Sequence, residues 1–331
     1  MKQRFESLAR LACNALLATA LAGAALLPFE ARAQLPRKIS FIVPFPPGGP
    51  IDLSARVLSE SMRAQTGIPV IVENRPGAYA NIAAMAVKQS APDGEHLLFA
   101  TSSLLTISPH LYSNLPYDAA ADFIPVTTVT FSQGALVIAA AVPVRDLKEF
   151  IELARATRPP FAFSSVGMGG IIHGYIELFK DAAKVDLLHV PYKGGADNFT
   201  AVLGGQVTGT FINLSIALPA IRSGKVKVLG LVGTKRSTLA PEIPTLDEQG
   251  YAGIDFMVWT GVMAPRGTSP QIVNAIANAV SSALAPEAVR AKLAASGVTP
   301  WVLPTEEFSR TIKRESERWK KLIAEKNIRV E

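Results

Sequence analysis

Apolar and polar residues follow two alternating patterns along most of the chain. Lys38–Pro44 (KISFIVP), Pro69–Glu73 (PVIVE) and His96–Ala100 (HLLFA) are short runs rich in β-formers and read as strands. Turn residues follow each one: FPPGGP after the first, NRPGAYA after the second, and the polar triplet Thr101-Ser102-Ser103 after the third. Helical spacing takes over at Ile51–Gln65 and from Asn81 to Gln89. Strand, loop and helix in that order predict parallel βαβ units.

The same order returns further on. Phe161–Ser164 is a strand, VGMGG a loop and Ile171–Ala183 a helix. Asp186–Pro191, YKGG and Ala196–Leu203 repeat the unit, and strands at Val207–Ile212 and Lys225–Val232 flank a helix at Ser215–Ser223. The halves share no sequence identity, so the reading is common architecture and not a repeat array. The tail is helical at Pro270–Leu284 and Pro304–Lys326, the latter with Phe308, Ile312, Trp319, Leu322 and Ile323 at near-helical spacing. A long C-terminal helix after the Pro-flanked segment Met263-Ala264-Pro265 is expected to pack back on an earlier domain. These patterns place domain one at 34–133 plus 258–331 and domain two at 134–257. The two connecting passages would form a hinge beside a ligand crevice.

The N-terminus changes the picture of location. Lys2, Arg4 and Arg10 precede an apolar run from Leu11 to Leu27, and Ala31-Arg32-Ala33 offers a small-x-small cleavage site. This predicts a signal peptide over residues 1–33, cut before Gln34, and export to the periplasm. The run is short and Ala-rich for a membrane span, and no second run of about 18 uncharged apolar residues occurs downstream, so a soluble mature chain is expected. Cys13 lies inside the leader, ahead of most of the apolar run. The mature chain is thus expected to carry no thiol, disulfide or cysteine metal site, which suits an oxidising compartment. Removing the leader takes 33 basic and 27 acidic residues to 29 − 25 = +4. That mild excess forms no basic stripe, which argues against nucleic acid and allows a small anion.

Ligands of open parallel sheets bind beyond the carboxyl ends of the strands. FPPGGP, TSS, SSVGMGG and YKGG all lie at such ends. Glycine lets backbone amides approach a ligand, and helix N-termini add unpaired N–H groups with partial positive charge. Two such loops facing each other would hold carboxylates without arginine. Asp52 follows the first glycine pair and either braces the loop or touches ligand.

Other chemistries find little support. GMGG has Ile172 where a dinucleotide fingerprint needs its third glycine, and no phosphate-loop motif occurs. Phe163 stands two residues before Ser165, so no nucleophile elbow forms. His96, His110, His173 and His189 are scattered without a metal-pair spacing, and His96 and His189 read as core or rim residues. His173 could pair with Glu177 one turn later, and Lys193 is either a solvated loop lysine or an anion contact. No catalytic residue, cofactor or metal is predicted.

Taken in order, IVPFPPGGPID, VIVENRPGAYANIAA, APDG-HLLFATSS, FSSVGMGGIIHGYIELF, HVPYKGGADNFTAVLGGQV, IRSGKVKVLGLVGTKRS, EIPTLDEQGY and MVWTGVMAPRGTSPQIV resemble the Bug (TctC-like) family. That family is the solute-binding component of tripartite tricarboxylate transporters. The resemblance implies a type II periplasmic-binding-protein fold, in which two doubly wound α/β domains close on a ligand like a Venus flytrap. It implies a small organic carboxylate gripped by backbone amides and waters, and delivery to membrane transporter subunits. Carried onto this sequence, the site is Phe45, Pro47, Gly48, Gly49 and Asp52, with Thr101, Ser102 and Ser103 closing one side. Ser164, Ser165, Gly167, Gly169 and Asn213 stand opposite. A monomer is expected; a stand-alone ligand sensor feeding a membrane receptor, or a periplasmic hydrolase, are the alternative readings. Citrate-like acids, dicarboxylates, aromatic acids and amino acids all stay open as ligands.

The chain departs from the family pattern at Gly77-Ala78-Tyr79-Ala80-Asn81-Ile82-Ala83, where Tyr79, Ala80 and Ala83 replace glycines. Tyr79 either offers an aromatic surface at the cleft mouth or reflects surface drift. Ala201 and Thr208 stand where acidic residues are common.

Overall fold

The computed structural model describes residues 35–77, 80–192, 194–255 and 257–328. The predicted leader, Tyr79 and Lys193 lie outside the described residues. The first predicted units form as β1 (Ile39–Val43), α1 (Pro50–Thr66), β2 (Val70–Asn74), α2 (Asn81–Lys88) and β3 (His96–Thr101). A π-helical turn (Ser103–Ile107) and α3 (Ser108–Leu111) lead to β4 (Phe123–Ser132). The middle of the chain gives β5 (Gly134–Ala139), α4 (Leu147–Ala156), β6 (Phe161–Ser165), α5 (Ile171–Ala183), β7 (Leu187–Pro191), α6 (Gly195–Leu203), β8 (Gly209–Asn213), α7 (Leu214–Arg222) and β9 (Val226–Leu231). The chain finishes with β10 (Val258–Pro265), α8 (Pro270–Leu284), α9 (Glu287–Ala295), β11 (Thr299–Pro300) and α10 (Thr305–Glu325).

Two sheets result. One has the order β11-β4-β10-β3-β1-β2 and the other β7-β6-β8-β5-β9. Each is covered on both faces, as strand alternation requires when both faces are apolar. In the first sheet Ile39, Phe41 and Val43 of β1 face Ala55, Leu58 and Met62 of α1 and Ile276 and Val280 of α8. Ile42 points the other way, to Ala83 and Val87 of α2. In the second sheet Phe163 and Phe211 pack under Phe150 of α4 and Phe179 of α5, and Val137 and Ile212 lie under Val202 of α6 and Ala217 of α7.

The βαβ units are parallel as read, with β1 paired to β2 and β3, and β6 to β7 and β8. The sheets as wholes are mixed, because further strands join the parallel units from outside them. β10 runs antiparallel to both β3 and β4, and β5 antiparallel to β8 and β9. These strands carry the chain between sheets and must therefore reverse against the parallel set.

The crossings are short and braced. Gln133 alone separates the last residue of β4 from the first of β5. Its side-chain amide donates to the carbonyls of Val232 (2.9 Å) and Lys235 (2.7 Å), and its own carbonyl accepts from Leu214 N–H at 2.8 Å. The return passes through residues 232–257, where Leu246 and Ile254 join the core of the second sheet.

Helix α10 packs back as expected, and against both sheets. Phe308 near its start lies among Leu98, Ala100 and Trp259 of the first sheet's core. Trp319, Leu322 and Ile323 near its end lie among Tyr175, Phe179 and Phe211 of the second. Gly174 makes the second contact possible: a Cβ there would sit 2.1 Å from Trp319 Cη2. Among the described residues no single helix is long and apolar enough to cross a membrane.

Candidate ligand-binding site

The two sheets place their glycine loops at equivalent points. β1 lies between β2 and β3, and β6 between β7 and β8. The chain leaves the middle strand to one side and returns to the other, the topology that opens a crevice at the carboxyl ends of the strands. FPPGGP leaves β1 there and VGMGG leaves β6. Pro46, Pro47 and Gly48 of the first loop and Val166 and Met168 of the second are exposed, so both loops reach solvent.

The first loop is held from beneath. Asp52, only 1% exposed, accepts from Gly48 N–H and Arg56 Nε on Oδ2, each at 2.9 Å, and from Asn74 Nδ2 on Oδ1 at 2.8 Å. Asn74 also donates to Phe45 O at 3.0 Å and accepts from Arg56 Nη2 at 3.0 Å. Burial works against the Asp52 charge, yet the Arg56 guanidinium, the Gly48 N–H and the Asn74 amide together outweigh it and hold the carboxyl below its ordinary range. Of the two sequence readings of Asp52, loop bracing matches this geometry. The Gly48 N–H is spent inside the loop, whereas Gly49 caps α1 with no side-chain hydrogen bond and Pro50 follows it.

The triplet after β3 is less open than its polarity suggested. Thr101 ends the strand and its Oγ1 accepts from Leu104 N–H at 3.4 Å. Ser102 is buried at 1% exposure, and its hydroxyl has no hydrogen-bond partner among the described residues. The carbonyl of Ser102 accepts from Thr106 Oγ1 at 2.9 Å, and only Ser103, the first residue of the π-helical turn, is partly exposed. Asn81 Oδ1, at the start of α2, is likewise buried without a partner among the described residues.

In the second loop Ser164 and Ser165 are fully buried. Ser164 O accepts from Thr210 Oγ1 at 2.7 Å, tying β6 to β8. Ser165 Oγ donates to Gly167 O at 2.7 Å and lies 2.6 Å from His189 Nε2. Gly169 N–H donates to His173 Nδ1 at 3.1 Å. The two imidazoles stack face to face, with centroids 3.9 Å apart and planes 9° from parallel. Burial pulls both down to about 4, so both are neutral at pH 7. His173 Nε2 is 4.0 Å from Glu177 Oε1, and Glu177 is claimed by Lys180 at 2.9 Å. Asn213 caps α7 by accepting from Ser215 N–H at 3.1 Å. Ser215 in turn lies against Gly297 of the first sheet's side, where a Cβ would meet its hydroxyl at 1.9 Å.

Sequence reasoning missed Arg56, Asn74 and His189. Arg56 stands four residues after Asp52, so helical spacing could have found it. Asn74 and His189 reach the site only through strand pairing and leave no local signal. Among the described residues no three His, Cys, Asp or Glu side chains converge as a metal site would require.

Comparison with known proteins agrees with this architecture. Residues 54–328 match the family described as the tripartite tricarboxylate transporter family receptor. Protein BugT of Bordetella pertussis is 34% identical over 90% of this chain and 92% of its own length. Rpa4515 of R. palustris, solved with adipate, superposes with TM-score 0.76 at 28% identity, over 89% of this chain and 99% of that one. MatC of Rhodopseudomonas palustris, solved with bound malate, gives TM-score 0.70 at 30% identity, over 87% and 100%. With the family matched over residues 54–328 and the fold shared over 87–89% of its length, this chain belongs to the tripartite tricarboxylate transporter receptor family.

Proposed function

We propose that this protein captures a small organic carboxylate between its two lobes and delivers it to membrane transporter subunits. One observation carries the reading: the helices that follow the glycine loops start on bare glycine. Gly49 caps α1, Gly170 caps α5 and Gly194 caps α6, and none supplies a side-chain hydrogen bond. Elsewhere α4 is capped by Asp146 and α8 by Ser269, whereas α2, α3, α9 and α10 start on Ala80, Ile107, Pro286 and Pro304 without a side-chain cap. It is the glycine at the cap, free of any side chain, that sets the loop helices apart. An uncapped start leaves N–H groups and the positive end of the helix dipole for an anion. The adipate and malate seen in the related structures are carboxylates of this size.

The grip is assigned to Phe45, Pro47, Gly49, Ser103 and Gly167 with their helix starts, while Gly48 and Gly169, whose N–H groups go to Asp52 and His173, join Asp52, Thr101, Ser102, Ser164, Ser165 and Asn213 in shaping these loops from within. The domains are 34–133 plus 258–331 and 134–257, with α10 bridging them, and the chain acts in the periplasm as a monomer after loss of residues 1–33. Ser165 and His189 do not form a hydrolytic dyad. The Ser165 proton goes to the Gly167 carbonyl, so His189 is a donor to the hydroxyl and not its base.

A thermal-shift series with adipate, malate, citrate and benzoate tests the reading on refolded mature protein, free of co-purified ligand. A ligand at 100 times its Kd should stabilise the fold by about 2.7 kcal/mol. No shift from any carboxylate at millimolar concentration would sink the proposal.

A further inference from the structure

The VGMGG loop does not fix its own shape. Gly167 and Gly169 both adopt positive φ, at 86° and 71°. Glycine is free to leave such conformations, so an outside anchor must select this one. Two side-chain anchors are present, Ser165 to Gly167 O and His173 to Gly169 N–H, and both lead to the same stacked imidazoles.

The protons on that stack follow from what each partner can do. A carbonyl only accepts, so the Ser165 hydroxyl proton is committed to Gly167 O. The 2.6 Å contact with His189 Nε2 then requires Nε2 to carry a proton and donate it to Ser165 Oγ. The backbone N–H of Gly169 only donates, so His173 Nδ1 must offer a lone pair and its proton sits on Nε2. Both rings are thereby fixed as Nε2–H tautomers, and each rigidifies the other through its face.

We propose that the stacked pair His173 and His189 is a positioning device, holding the VGMGG loop in the conformation that presents its amides to ligand. His173 is the proton-sensitive half. Protonation at Nδ1 would set N–H against N–H at Gly169 and release that end of the loop. His189 protonates on the ring nitrogen away from Ser165, so its anchor survives. The charges acting on the pair are Lys180 of α5, which opposes protonation of both rings, and Glu177 of α5, which favours it at His189; His173 also opposes a charge on His189 across the 3.9 Å stack. This rests on the proposed binding role of the loop, and the experiment below separates the two.

Long-range ¹H–¹⁵N spectra of the mature protein at pH 7.5 should show both imidazoles protonated on Nε2, with the Gly169 amide hydrogen-bonded. Calorimetric affinities for adipate and malate are then compared for wild type, H173F and H173N. H173F keeps a ring in the stack and removes the acceptor, so affinity should fall by at least about tenfold while circular dichroism stays native. H173N places an oxygen where Nδ1 was and should recover part of that loss. The ratio of wild-type to H173N affinity should fall as pH drops below about 5, because only wild type loses its acceptor to a proton. An Nδ1–H tautomer at His173, or H173F binding within twofold of wild type, overturns the inference. If neither acid binds any of the three proteins, the function fails instead, and the tautomer with the Gly169 amide shift still decides the positioning claim.

Discussion

Trp259 donates its indole N–H to Glu315 at 2.8 Å, joining the strand that returns from the second sheet to the helix that spans both. Both residues are buried, and Trp259 stacks edge-on against Phe308 of the same helix, with centroids 5.2 Å apart. One turn after Glu315, Trp319 enters the core of the second lobe. Any hinge motion must therefore pass through α10, either by bending it or by sliding the Trp319 contact.

Glu315 is pushed up to about 7 by burial, against the pull of the Trp259 bond and of Arg314 and Arg318. The folded chain keeps a proton that the unfolded chain releases near the ordinary carboxylate value. Its contribution is thus fully present at low pH and is lost as pH rises through about 7. Glu315→Gln, which keeps an acceptor for Trp259, should leave stability at pH 5 nearly unchanged. At pH 8 it should raise stability by on the order of 2 kcal/mol, read from urea unfolding.

The histidine stack gives a slope of the opposite sign. His173 and His189 are held down to about 4, while the unfolded chain takes up protons near 6.5. Stability is therefore lost as pH falls from 6.5 towards 4. In melting curves of the unliganded protein, H173N should flatten this acid limb while leaving the alkaline limb in place.

Gly174→Ala should cost about 1–3 kcal/mol, because its methyl group would overlap the Trp319 ring and α5 cannot move without disturbing the core. In a Trp319→Leu background the added cost of Gly174→Ala should largely vanish. A double-mutant cycle in urea measures the coupling, and additive effects would show that the two residues do not press on each other.

Asp52→Ala removes the acceptor shared by Gly48, Arg56 and Asn74. It should destabilise the fold by about 1–3 kcal/mol and weaken carboxylate binding, with Asp52→Asn intermediate in both. Because the folded carboxyl is held below its ordinary value, this stabilisation is present above about pH 4 and lost below it. Wild type and Asp52→Ala should therefore converge in stability at low pH, as read by urea titration.

The parallel units were legible because their signals are local. KISFIVP before PPGG, and FAFSS before GMGG, announce a strand, a turn and a helix within a few residues. α4 carries such a signal too, with Asp146 accepting from Glu149 N–H and Glu149 accepting from Arg145 N–H in a local capping pattern. β4, β5 and β10 were harder. β10 joins β4 across more than a hundred residues, with Pro265 paired to Phe123, and no short window reveals such a partner. The Thr101-Ser102-Ser103 triplet misled for a related reason: polarity does not distinguish an exposed loop from a buried turn under α10.

The order of residues by itself determined the βαβ units, the glycine loops at strand ends and the uncapped helix starts, since each depends on neighbours a few bonds away. Only the tertiary structure decided which strands reverse, that α10 joins both lobes, and that His173 and His189 meet face to face. Those outcomes depend on close packing between segments far apart in the chain, where a missing Cβ at Gly174 or a Ser165 hydroxyl joined to both Gly167 and His189 selects one arrangement.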